Sequence, residues 1–219
     1  MTRPLPIGVL VSGEGTTLDG LAELVLGNHL PARIALVVAD RPHAKAIERA
    51  RLRGLPTIAL PTHGVVPEAW SARLTMELVD QGVELVVLAG FLTILPPRWL
   101  ARWKGRAINV HPSLLPRYGG PGMYGRRVLE AALRAGDHET GVTVHLVTDA
   151  VDGGPTIAQE AVPIEPGDTV ESLRARLHPV EVALLAATIR RFAEGALPLP
   201  YPDRDAPEPE RRDRPDARG

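Results

Sequence analysis

Apolar residues gather in short runs along this chain. IGVLV (7–11), RIALVV (33–38), PTIAL (56–60) and ELVVLAG (84–90) are each too short for a buried helix and rich in β-branched residues, which predicts buried strands. Between them, TLDGLAELVL (17–26), HAKAIERARLRG (43–54) and PEAWSARLTMELVDQG (67–82) repeat apolar residues at helical spacing. Strand and helix in alternation predict a parallel sheet with right-handed crossovers. AINVH (107–111) supplies a fifth strand, after which the rhythm changes. A helix from about 125 to 135 leads to TGVTVHLVT (140–148), a DGGP turn and TIAQEAVPI (156–164), two strands whose tight connection predicts antiparallel pairing. A last helix, from about 169 to 194, aligns Leu173, Leu177, Val180, Leu184 and Ile189 on one face. The expected fold is α/β: a Rossmann-like open sheet, parallel in its N-terminal half and mixed, with antiparallel strands, in its C-terminal half.

The length of 219 residues suits one such domain, expected over residues 1–202. Residues 203–219, DRDAPEPERRDRPDARG, hold no large apolar side chain and are expected to form a disordered charged tail. Basic and acidic residues balance at 25 and 26, which gives no field to draw nucleic acid or a membrane surface. With no cysteine, thiol nucleophiles, thiolate metal sites and disulfides are excluded. MTRPLPIGVLVSG does not resemble a cleavable signal and no stretch approaches a membrane span, so a cytoplasmic protein is expected.

Three motifs could carry chemistry. SGEGTT (12–17) joins the first strand to its helix. Gly13 and Gly15 allow a tight turn, and free N–H groups at the helix start with the Thr16 and Thr17 hydroxyls suit an anion. Leu18 stands where the dinucleotide fingerprint has its third glycine, and there is no Walker lysine, which favours a monophosphate. A glycine turn with Thr capping the helix reads the same residues structurally. NVHPSLLPRYGG (109–120) places Asn109 and His111 on one face of a strand, at the sheet edge where open α/β folds bind ligands. Its prolines and glycines build a loop of restricted shape, and a structural histidine is the plain alternative. TDAVDGGP (148–155) offers Asp149 and Asp152 in a turn, as turn formers or as a carboxylate partner for the histidine.

NVHPSLLPRYGG resembles the N-x-H-x-S-L-L-P signature of the folate-dependent formyltransferases, and DGGP resembles that family's second signature at a similar separation. The resemblance runs from about Ile7 to Leu199. SGEGTTL, VVLAGFLTIL (86–95) and an end near residue 202 resemble the branch that acts on glycinamide ribonucleotide in purine synthesis. The resemblance implies a formyltransferase fold with a nucleotide-binding half (about 1–105) and a folate and catalytic half (106–202). It implies 10-formyltetrahydrofolate as cosubstrate, no metal, small-molecule partners, and a monomer or homodimer. Asn109, His111 and Asp152 become the catalytic trio. The turn with Gly13, Gly15, Thr16 and Thr17 would take the substrate phosphate, and Met123, Tyr124, Gly125 and Glu181 the rest of the nucleotide. Phe91, Leu92, Thr93, Ile94, Leu95, Val147 and Asp149 would line the folate pocket, although many members carry a basic residue where Thr93 stands. His145 also has counterparts in relatives, and it reads as a packed residue outside the trio. Formyl transfer to another amine, such as a sugar nucleotide, and a non-catalytic binding module are the other classes compatible with these residues.

Overall fold

The structure is a computed structural model that describes residues 3–202. The expected C-terminal tail therefore lies outside the described residues. Seven strands form one sheet in the order β3-β2-β1-β4-β5-β6-β7. β1 (Leu5–Val11), β2 (Ala32–Ala39), β3 (Thr57–Ala59), β4 (Leu85–Leu88) and β5 (Ala107–His111) run parallel. β6 (Glu139–Leu146) and β7 (Thr156–Pro163) add antiparallel. Helices α1 (Thr16–Leu26), α2 (Lys45–Leu52), α3 (Pro67–Asp80), α4 (Pro97–Arg102), α5 (Arg126–Ala135) and α6 (Val170–Ala193) fill the crossovers and the C-terminal return.

β1 is buried along its whole length because both sheet faces are covered. Alternate residues divide between two cores. Ile7, Val9, Leu85, Val87, Ile108 and Val110 pack with Leu21 of α1 and with Leu173, Leu185 and Ile189 of α6. Leu10, Val86, Leu88 and Ala107 face the other way, against Trp70, Leu74 and Leu78 of α3 and Trp99 of α4. Truncating a fully buried residue such as Leu185 to alanine would cost about 2–5 kcal/mol.

The face that carries Ala107 matters most, because Asn109 and His111 follow it at two-residue steps. There the cover provided by α3 and α4 gives way to loops. The parallel strands also part company at this edge: the chain goes from β1 to β2 on one side, and β4 lies on the other. That switch point opens at the strands' carboxyl ends.

Three details differ from the sequence expectation. α4 was not foreseen, since it is only six residues long behind Pro96 and Pro97. β4 stops at Leu88, before a turn in which Gly90 has φ of 69°. The connection from β6 to β7 spans residues 147–155, so it is a nine-residue loop in place of a tight turn.

Candidate active site

Antiparallel register across β5 and β6 sets Asn109 opposite His145 and His111 opposite Thr143. Directly paired residues share a face, so both β5 side chains and His145 converge. The third partner arrives from the 147–155 loop. Asp152 adopts φ of 54°, a left-handed conformation that short polar residues tolerate better than most. Its carboxylate thereby lies between the two strands and the loop that follows β5.

Asn109 Nδ2 donates to Asp152 Oδ1 at 3.3 Å and to His145 Nε2 at 3.1 Å. His145 Nδ1 donates to the Leu146 carbonyl at 2.8 Å, and its Nε2 also lies 3.6 Å from Asp152 Oδ1. The Gly120 N–H donates to Asp152 Oδ2 at 3.1 Å. His111 Nδ1 stands 3.6 Å from the same oxygen, and His111 Nε2 donates to the Tyr118 carbonyl at 2.9 Å. The approaches of 3.3 and 3.6 Å exceed the usual hydrogen-bond optimum.

The electrostatics follow from burial. His111 is 4 % exposed, and burial pushes its pKa below the ordinary histidine value, against the pull of Asp152 and of the Tyr118 carbonyl. Burial also works to raise Asp152. It is outweighed by His145, the charge interaction with His111 and the Gly120 N–H, so the carboxyl sits below its usual range. Near neutral pH the site therefore pairs a carboxylate with a neutral imidazole.

The loop after β5 is held by its own contacts. Ser113 Oγ donates to the Arg117 carbonyl at 2.6 Å, and Thr143 Oγ1 donates to the Ser113 carbonyl at 2.7 Å. Gln159 Nε2 donates to Thr143 Oγ1 and to the Leu115 carbonyl. β6 and β7 thus fix the path that carries Tyr118 and Gly120 to the trio.

Asn109, His111, His145 and Asp152 border a cavity of about 540 Å³. Phe91, Leu92, Thr93, Ile94, Leu95, Val147 and Asp149 line it, as does the segment Met123, Tyr124, Gly125. The lining does not include Gly13, Gly15, Thr16, Thr17 or Glu181. That second group sits next door, since the Ser12 N–H donates to the carbonyl of Gly90, a cavity residue. Gly15 precedes α1 with φ of 75°, and a Cβ there would stand 2.6 Å from Ala46 Cβ, so only glycine fits. No threonine side chain caps α1. Thr17 Oγ1 instead donates to Glu181 Oε1 at 2.8 Å. Glu181 itself is pushed above the ordinary carboxyl pKa by burial, which Thr17, His178 and Arg174 only partly offset.

The structure brings Asn109, His111 and Asp152 together and adds His145, which sequence reasoning had left out and which lies 3.1 Å from Asn109 and 3.6 Å from Asp152. The signal available was a lone histidine in a strand, and only the register of β6 on β5 gives it meaning. Among the described residues no group of three or more His, Asp or Glu side chains could hold a metal ion, and no helix is long and apolar enough to cross a membrane.

A family model described as Formyl transferase matches residues 6–189. The Escherichia coli protein named phosphoribosylglycinamide formyltransferase is 38 % identical over 194 residues, covering 88 % of this chain and 89 % of its own. The protein of the same name from Haemophilus influenzae is 37 % identical over 199 residues, with coverage of 88 % and 89 %. The crystal structure of glycinamide ribonucleotide transformylase 1 from Symbiobacterium toebii superposes with a TM-score of 0.83 at 38 % identity, covering 90 % of this chain and 92 % of that one.

Proposed function

The chain belongs to the formyl transferase family, and we propose that it transfers the formyl group of 10-formyltetrahydrofolate to the primary amine of glycinamide ribonucleotide, a step of de novo purine synthesis. The observation that carries the reading is the meeting of Asn109, His111 and a carboxylate, Asp152, at the border of a cavity large enough for a folate head group.

In this reading the amine nitrogen attacks the formyl carbon and the C=O π electrons move onto oxygen. Asn109 Nδ2 and the N–H of His111 turn from their internal partners, Asp152, His145 and the Tyr118 carbonyl, to the oxyanion. Hydrogen-bond donors to an oxyanion contribute roughly 3–4 kcal/mol each to the transition state. Asp152, an ionised acceptor beside a neutral imidazole, takes the proton that the amine loses, directly or through water. The tetrahedral intermediate collapses as the oxyanion electrons re-form C=O and the C–N10 bond breaks, and N10 takes the proton held by Asp152 to leave as the neutral secondary amine of tetrahydrofolate. The 12–17 turn takes the substrate phosphate, with Glu181 near the ribose end. Phe91, Leu92, Ile94, Leu95 and Val147 enclose the folate. We further propose that the protein works in the cytoplasm on small molecules alone, as a monomer or homodimer and without metal.

The test mixes purified protein with 10-formyltetrahydrofolate and follows loss of the formyl group optically, with and without glycinamide ribonucleotide. Loss that requires the nucleotide is expected. Loss without it would indicate a hydrolase or another acceptor, and binding of both ligands without turnover would leave only a binding module.

A further inference from the structure

We infer that Asp40 is a positioning residue for the formyl carrier, acting through Ser12 and Thr93 to hold the cavity wall at residues 90–94. The inference rests on the assignment of that wall to the carrier and extends it to a residue outside the cavity lining.

Asp40 follows the last residue of β2 and is 3 % exposed. Its Oδ2 accepts from Ser12 Oγ at 2.8 Å and from Thr93 Oγ1 at 2.6 Å. Its Oδ1 is buried with no hydrogen-bond partner among the described residues, and Arg41 Nε approaches only to 3.8 Å. Ser12 Oγ also accepts from the Leu92 N–H at 2.8 Å, while the Ser12 N–H donates to the Gly90 carbonyl at 3.1 Å. These contacts bind one short segment to the ends of β1 and β2.

The segment needs that help. β4 ends at Leu88 and α4 begins at Pro97, so the wall between them belongs to no strand or helix. Leu92 and Ile94 are exposed, and Phe91 and Thr93 are half-buried, so apolar packing alone secures little of it. A buried carboxylate with one unmet oxygen is expensive, and an apolar residue of the same size would be cheaper if stability were its only effect. The use found for it is geometric: one oxygen fixes two hydroxyls, one of which carries the backbone of Leu92. Because the Thr93 hydroxyl donates to Asp40, it is also withdrawn as a donor to ligand. The wall therefore meets the carrier mainly through shape.

Thr93→Val and Asp40→Leu break the contact, and Asp40→Asn keeps an accepting oxygen. Expected for the first two is a KM for 10-formyltetrahydrofolate raised about tenfold, with kcat and the KM for glycinamide ribonucleotide within about twofold of wild type. Asp40→Asn should restore most of the carrier KM. An unchanged carrier KM in Thr93→Val and Asp40→Leu overturns the inference, as does a fall in kcat with both KM values intact. A merely structural role would lower Tm without this split. Hydrogen exchange at the Leu92 amide needs no substrate and should quicken in the same two variants. If wild-type protein left the carrier intact, the carrier assignment would fall and exchange alone would decide: unchanged protection overturns the anchoring, and faster exchange sustains it.

Discussion

Asp152 accepts a left-handed backbone conformation in order to put one carboxylate in reach of Asn109, His111 and the Gly120 N–H. Asp152→Asn retains a residue that tolerates this backbone and removes the charge, so it isolates the electrostatic role. Turnover should fall by about two orders of magnitude or more, as it should in His111→Ala, with nucleotide binding preserved in a calorimetric titration. Wild-type-like turnover in either variant would remove that residue from the mechanism. The same variant tests the origin of the histidine pKa. In wild type, burial holds His111 below its ordinary value and Asp152 partly restores it, so losing the charge should move the His111 midpoint lower still, read from its ring protons by NMR. A rise would mean that the Asp152 charge does not support the protonated imidazole. At this scale the sequence was informative where placement follows from near neighbours. Asn109 and His111 share a strand face by simple alternation, and DGGP announces a turn. His145, Ser12 and Asp40 were not legible because their contacts cross 28 to 80 residues of sequence, and each alone resembles an ordinary core or turn residue.

Elements were readable in proportion to their length and their local chemistry. α6 was expected from about residue 169, and the structure gives Thr169 as its N-cap, in a capping box where Thr169 Oγ1 accepts from the Ser172 N–H and Ser172 Oγ from the Thr169 N–H. Pro179 removes one helical hydrogen bond, yet the helix continues because Leu173, Leu177, Leu185 and Ile189 bury one face against the sheet. Thr169→Ala should cost about 1 kcal/mol, a fall in Tm of roughly 2–4 °C for a domain of this size, with activity near wild type. A calorimetric scan checks it, and an unchanged Tm would mean that packing alone sets the start of α6. α4 and the 147–155 loop were less legible for opposite reasons. The helix is too short to display a period, and the loop hides behind a turn motif that occupies only part of its length.

The whole molecule separates stability from function across the sheet. Two apolar cores occupy the faces, while the carboxyl edges of the parallel strands gather the buried polar groups Ser12, Thr17, Asp40 and His111. The parallel-then-antiparallel order could be read from the spacing of apolar runs. The division of the candidate residues between the 12–17 turn and a separate cavity could not, because it depends on how β1 and β4 adjoin. Glu181 shows what this arrangement costs. Its folded carboxyl titrates above its ordinary value because burial disfavours the charge, whereas the unfolded group titrates near about 4.3. As pH rises above that point the unfolded chain releases the proton first, so Glu181 draws stability away until the folded group has also ionised. Glu181→Gln, which can still accept from Thr17, is therefore expected to match wild type in urea unfolding near pH 4 and to exceed it near pH 7. If Glu181 faces the nucleotide, the same variant should bind glycinamide ribonucleotide more weakly at pH 7, so stability is gained where affinity is lost. Equal stabilities at both pH values would show that the Glu181 carboxyl carries no penalty, and its place beside the 12–17 turn would then need no functional explanation.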